Sequence, residues 1–232
     1  MFTDKQVDSM VRQINTYETA TREHLIADYC EELISDIPAY FYAKLLEEET
    51  NDICRWYEIK ALGDLHATEY AELLVSQLNR PDANFGESSV WRILAYSLGK
   101  IGECAIPLLS NLDMSDINVK IAIMDSYSKI GSSLAIPYIK PVLLADYSKA
   151  TVYASNALAS SGELGIKEIK EIFDSCDTLT KFALFESLLG VCNDEDLEFV
   201  QSIIANYPDF LKKVQKMQTL NYRTFSERYG KY

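Results

Sequence analysis

The chain carries few side chains that could run chemistry, and they are scattered. His24 and His66 are the only histidines. Acid/base or metal work by either needs partners converging on it. His24 stands in the polar run Arg22-Glu23-His24, which reads as a solvated helix face, and His66 falls at a helix corner, where it completes a turn. The five cysteines, Cys30, Cys54, Cys104, Cys176 and Cys192, are odd in number and form no C-x-x-C or Cys/His cluster. Free thiols are therefore expected, with no disulfide framework and no zinc site. Cys54, Cys104 and Cys192 fall in or beside helical segments, where small buried apolar residues belong. No Ser/His/Asp spacing and no glycine-rich phosphate loop is present. Carboxylate pairs such as Glu168/Glu171 and Asp194/Asp196 are many, but in so acidic a chain a pair alone says little about catalysis. The expectation is no catalytic residues, no metal and no cofactor.

The elements that must position these residues are helices. In Val90–Asp113 the apolar residues Val90, Ile93, Leu94, Leu98 and Ile101 keep helical spacing up to Gly102, a natural left-handed helix end. A second apolar run, from Ala105 and Ile106 to Leu112, follows at once, so the simplest unit is a helical hairpin. The unit recurs. Aligned corners place His66, Gly102, Gly131, Gly162 and Asn193 at one position, at intervals of 36, 29, 31 and 31 residues. Lys-Ile-Gly recurs at 100–102 and 129–131, Ala-Ile-Pro at 105–107 and 135–137, and Leu-Gly at 62–63, 98–99 and 189–190. A period near 30 with two helices per unit is the signature of an α-solenoid. First helices are expected at about 53–64, 88–100, 116–129, 147–160 and 179–191, and second helices at about 68–79, 104–112, 133–145, 163–174 and 195–206. The glycine of Leu-Gly would allow close helix approach, at a propensity cost of about 1 kcal/mol against Ala. Residues 1–51 read as a helical N-terminal cap, with Thr3 capping its first helix and Pro38 opening its third. Residues 52–207 hold the repeats, and 208–232 a capping helix with Phe210, Leu211, Val214, Met217 and Leu220 on one face and Lys212, Lys213, Lys216, Arg223 and Arg228 around it. The stretch 79–88, centred on Phe85, is the one enlarged loop.

Residues 52–193 resemble the short bacterial, PBS-lyase-type HEAT-like repeats: a Val-Arg start, an Ala-rich helix, Leu-Gly-x-hydrophobic-Gly, then Ala-Ile-Pro-x-Leu. Val90–Leu109 fits best, with Trp91 where Arg is usual; Cys54-Arg55 and Val119-Lys120 supply the basic residue in neighbouring units. Ser161-Gly162 and Cys192-Asn193 depart from the hydrophobic-Gly pair. The resemblance implies an all-α fold, a right-handed superhelix of about five hairpins with helical caps. It implies no single function, because solenoids host many.

Charge narrows the function. Asp and Glu outnumber Lys and Arg 35 to 22, for a net −13. Such a surface repels phosphate backbones and favours a basic partner with fast, salt-sensitive association. In the HEAT-like family the second helices line the concave face, and here those helices and their edges bring Glu69, Glu72, Glu103, Glu168, Glu171, Asp174, Asp194, Asp196 and Glu198, with Glu163, Glu195, Asp113 and Asp177 nearby. A charge run is ordinarily a solvated face; the sharper alternative is a negative groove for Lys and Arg side chains. Tyr138 and the aromatics Tyr70, Phe173, Phe199 and Tyr207 interleave with these carboxylates. Trp56 and Trp91, on first helices, are expected in packing. The polar start, MFTDKQVDSM, and the absence of a run of ~20 apolar residues lead to a cytoplasmic expectation without membrane or nucleic-acid contact. The expected function is non-catalytic protein binding, most sharply an acidic immunity or inhibitor protein that neutralises a basic partner such as a nuclease toxin. The alternatives are a bilin lyase or lyase-like chaperone for a phycobiliprotein, and, against the charge, a HEAT-like DNA glycosylase.

Overall fold

Local chemistry sets the helix starts. At the N-terminus the Thr3 N–H donates to Gln6 Oε1 at 2.8 Å, a capping box that opens α1 (Asp4–Ile14). α2 (Thr19–Glu31) follows, and Pro38 immediately precedes α3 (Ala39–Glu48). Asn51 Oδ1 accepts from the N–H groups of Ile53 and Cys54 and caps α4 (Asp52–Asp64). The computed structural model describes residues 2–80 and 90–216, and among these the chain is all-α, with no strand.

The remaining elements are α5 (Ala71–Ser76), α6 (Val90–Ile101), α7 (Ile106–Ser110), α8 (Ile117–Ile130), α9 (Ile136–Leu144), α10 (Lys149–Ser160), α11 (Gly162–Ile172), α12 (Thr178–Leu189) and α13 (Leu197–Asn206). Residues 208–216 are helical as well. Every expected helical segment between 53 and 206 is helical within a few residues of its expected ends. Most second segments begin with a tight 3₁₀ turn, as at Thr68–Tyr70, Glu103–Ala105 and Ser133–Ala135. Pro107 and Pro137 sit in the first turn of α7 and α9, where a missing N–H costs nothing.

Four of the five aligned corners carry a residue with positive φ. His66, Gly102, Gly131 and Gly162 have φ of 51°, 87°, 66° and 70°. A left-handed residue ends the helix and lets the next N–H groups reach back to its last carbonyls. Gly102 N–H donates to Leu98 O and Gly131 N–H to Tyr127 O, both at 2.9 Å. His66 is the one non-glycine with positive φ among the described residues. Its Nδ1 lies 2.9 Å from Lys100 O, so the imidazole ties the first corner to the end of α6. At the fifth corner Asn193 works through its side chain, Oδ1 accepting from Glu195 N–H at 2.9 Å.

Helices α4, α6, α8, α10 and α12 pack against one another in chain order. Small residues set how near they come. A Cβ on Gly63 would lie 2.6 Å from Ser97 Cα, and one on Gly99 would lie 2.7 Å from Lys129 Cβ. Ser97 Oγ, buried in the same contact, donates to Ile59 O at 2.8 Å. In α10 the buried side chains include Ala150, Ala154, Ala157 and Ala159, which lets α8, α9, α11 and α12 all close on it. Gly190 differs: a Cβ there meets only Ser187 O at 3.4 Å, so the third Leu-Gly pair makes no close approach.

The N-terminal region is more than a lid. α2 packs on α4, as α4 does on α6; α3 packs on α4 and α1 on α3. At the other end Phe210 and Val214 are buried, Phe210 stacking on Tyr207 with ring centroids 4.8 Å apart. The expected positions Met217, Leu220, Arg223 and Arg228 lie outside the described residues, as does Phe85 with most of the enlarged loop. Trp91 is buried edge-to-face on Tyr153, and Trp56 is half-buried against Tyr57. One cysteine departs from expectation. Cys104 is exposed, because the 3₁₀ turn after the corner faces it to solvent, while Cys30, Cys54 and Cys176 are buried and Cys192 half-buried.

Gly63→Ala should therefore destabilise by about 1–3 kcal/mol through overpacking against Ser97. Gly190→Ala should stay within about 0.5 kcal/mol of the parent, with a small gain in helix propensity. Urea unfolding of both variants checks the contrast; equal effects would contradict the packing.

Candidate functional site

Each second helix begins where a corner releases it, so its first turns lie beside those of the next unit. The carboxylates expected there divide by what they meet. Glu69, Glu72, Asp174 and Glu198 are exposed and pair with no cation among the described residues. Glu171 is exposed and reaches Lys167, one turn back, at 3.9 Å, an exposed pair of little energetic weight. Tyr138 is partly exposed, its ring stacked on that of buried Tyr127. The side chain of Asp194 lies outside the described residues.

Three others are committed within the chain. Glu103 Oε1 accepts from Ser132 Oγ at 2.6 Å, joining the second corner to the third. Glu168, half-buried on α11, pairs with Lys140 of α9. Asp196 is buried, 2.7 Å from Lys170 Nζ, and accepts from Asn193 N–H at 3.2 Å. The Lys170 ammonium holds the Asp196 carboxyl below its usual range. These partners lie 29, 28 and 26 residues apart in the chain, close to one repeat period. A search of the sequence for a hydroxyl or cation one period from each carboxylate would have found them.

Asp113 and Asp177 also serve local structure. Asp113 accepts from the N–H and hydroxyl of Ser115, and Asp177 caps α12 through Leu179 N–H, Thr180 N–H and Thr180 Oγ1. Hydrogen bonds to the hydroxyls of Ser115 and Thr180 lead in holding both carboxyls below the ordinary range. The structure brings Glu163, Glu195 and Asp196 together around a cleft of about 210 Å³, shared with Lys167, Lys170 and Asn193 between α11 and the last corner.

A second polar cluster escaped the sequence reading. Arg55 and Glu58, one turn apart on α4, are fully buried, with Glu49 and Gln77 nearly so. Arg22 of α2 meets Glu49 at 2.8 Å, and the same Glu49 oxygen accepts from Thr50 and Asn51 N–H. Arg55 donates to Gln77 Oε1 and to Asp52 Oδ1, each at 3.3 Å. Neither oxygen of Glu58 has a hydrogen-bond partner among the described residues. Burial, aided by Glu49, raises its carboxyl well above the usual range against the pull of Arg22 and Arg55. Burial also leads in pushing the Cys54 thiol up to about 12, which leaves it inert. The cluster locks α2 and α3 onto α4 and α5. Its sequence signal was weak: Glu49 closes an acidic run that reads as solvated, and Arg55 passes as the basic residue that opens a repeat.

Among the described residues no group of three His, Cys, Asp or Glu side chains is placed to hold a metal ion, and no single helix is long and apolar enough to cross a membrane. Compared with known protein families and with curated proteins, the sequence matches none of them; the helices, packed against their neighbours, are compatible with a helical-repeat architecture.

Glu58 gives a sign for the pH dependence. Its folded pKa lies above its unfolded one, so the native state binds more protons between the two, and stability falls as pH rises from the ordinary carboxylate range through the raised value. Glu58→Gln should remove that slope, with its benefit larger at pH 8 than at pH 5. Urea unfolding of both proteins at the two pH values measures it; a constant difference would refute the assignment.

Proposed function

We propose that the chain is a HEAT-like helical-repeat protein whose task is to bind a basic protein without catalysis. In its sharpest form it is an immunity-type inhibitor that covers the cationic active site of a nuclease toxin. The ordered packing of α4, α6, α8, α10 and α12, each followed by a shorter helix, supports the repeat assignment. The observation that carries the functional reading is the set of exposed carboxylates with no cation partner among the described residues: Glu69, Glu72, Asp174 and Glu198. Carboxylates tied up in caps or ion pairs serve the fold, whereas these keep their full charge for a partner.

In this reading the net charge of −13 steers a cationic partner to the surface. The free carboxylates then stand where nucleic-acid phosphates would sit on a nuclease. Tyr138 contributes an amphipathic ring at the contact, with enough exposed surface to be covered by a partner.

Titration calorimetry against purified cationic and anionic proteins of similar size, nuclease domains among them, tests the reading. Association should be confined to the cationic proteins. It should weaken at least about tenfold between about 10 mM and about 150 mM salt, where the Debye length falls from about 30 to about 8 Å. Replacing Glu69, Glu72 and Glu198 by Gln and Asp174 by Asn should abolish it. Failure to bind any cationic protein at low salt would overturn the proposal.

A further inference from the structure

We propose that the corner edge carries an aliphatic docking row, and that its occupant is a basic amphipathic helix of the partner protein. This rests on the basic-partner reading and adds where that partner binds and what it presents. In three successive units the residue two places before Ile106, Ile136 and Ile166 is Cys104, Leu134 and Leu164. The three lie thirty residues apart, and all are exposed. Leu134 and Leu164, each 58 % exposed, are the most open large hydrophobic residues described. Isolated exposed leucines are ordinary, but the same register in consecutive units makes a row.

The units are neighbours along that edge. Ser132 Oγ donates to Glu103 Oε1 at 2.6 Å, and Ser161 Oγ donates to Ser132 O at 3.4 Å, so the corners at 102, 131 and 162 are bonded in order. Packed helices lie 8–10 Å apart, so the row advances by about 10 Å per unit. Two turns of an α-helix rise about 10 Å over seven residues and return to the same face. A helix with aliphatic side chains at i, i+7 and i+14 therefore matches the row.

Charge selects the sign of the occupant. Glu69, Glu103, Glu163 and Glu195 stand within three residues of their corners, and all four are exposed. Glu163 and Glu195 also open onto the 210 Å³ cleft at the end of the row, where Lys170 is already paired with Asp196. Lys167, three residues after Leu164, is exposed beside the cleft and reaches Glu171 at 3.9 Å, while Lys100 and Lys129 sit in the last turns of α6 and α8, where they face the negative end of the helix dipole. A docked helix would thus meet aliphatic side chains along its centre and carboxylates on its flanks, which calls for Lys or Arg beside its apolar stripe.

Cys104 reports on the row directly. The experiment follows iodoacetamide alkylation of the intact protein by peptide mass spectrometry, with half-buried Cys192 as the internal reference. The probes are a fifteen-residue Leu/Lys amphipathic helix, an oligolysine of equal charge and a Leu/Glu helix. The Leu/Lys helix should slow Cys104 alkylation at least fivefold at low salt and leave Cys192 unchanged. Oligolysine and the Leu/Glu helix should not. Leu134→Ser/Leu164→Ser should remove the protection; since both side chains face solvent, the circular dichroism should stay that of the parent. If the Leu/Lys helix binds by fluorescence anisotropy while Cys104 reacts at its free rate, the row is refuted and the basic-partner reading survives. If oligolysine protects Cys104 equally, the aliphatic character plays no part and the row is again refuted. If neither cationic probe binds, both proposals fall.

Discussion

A helix that must stop and reverse within a few residues is eased by a residue with positive φ, and four of the five aligned reversals, on which the rest of this fold depends, use one. Gly102, Gly131 and Gly162 supply it without a Cβ, and His66 supplies it with a side chain that bonds back to the neighbouring corner. Each of these reversals is followed within a few residues by the next helical segment. Gly63 against Ser97 and Gly99 against Lys129 then set how close the units come. Neither feature works alone: turns without close contact leave the core open, and close contact without common turns puts successive units out of register.

The polar residues follow from this regularity in two ways. Groups 26 to 29 residues apart meet between successive segments, as in Glu103–Ser132, Lys140–Glu168 and Lys170–Asp196. These links orient the short helices, whose own hydrogen-bonding is too brief to hold them. At the junction of the N-terminal helices with the repeats, charge is buried outright around Arg55 and Glu58. A buried carboxylate without a hydrogen bond opposes stability, and its neighbours there are the cations Arg22 and Arg55. Its place at a junction is consistent with specifying how α2 and α3 seat on α4, where a purely apolar contact would allow sliding.

What remains after these internal uses is the surface offered to other molecules. Cap and ion-pair carboxylates are spoken for; of the rest, Glu69, Glu72, Asp174 and Glu198 lie on the second helical segments and others, such as Glu31, Glu32 and Glu48, on the N-terminal helices. Apolar residues emerge at one register on the corner edge. In the proposed reading, charge would bring many cationic proteins near and the apolar row would retain those with a matching stripe, which discriminates better than charge alone.

The helices and the glycines that end several of them were legible in the sequence because each is a local property. Apolar spacing of 3.6 residues marks a helix wherever it lies, and a glycine after it marks the reversal. The left-handed turn at His66 could be placed for the same reason, by its alignment with the glycines. The fate of each charge was not legible, because burial and pairing depend on residues far away in sequence. Glu58 and Glu69 are equally polar as letters, yet one is sealed beneath α2 and α3 and the other faces water. Glu103 and Glu72 look alike until Ser132, a full repeat later, arrives beside the first. Cys104 is a small apolar residue that the sequence would bury, and only the 3₁₀ turn after Gly102 faces it outward. Sequence thus determined where the chain turns, and tertiary packing decided which side chains those turns leave free.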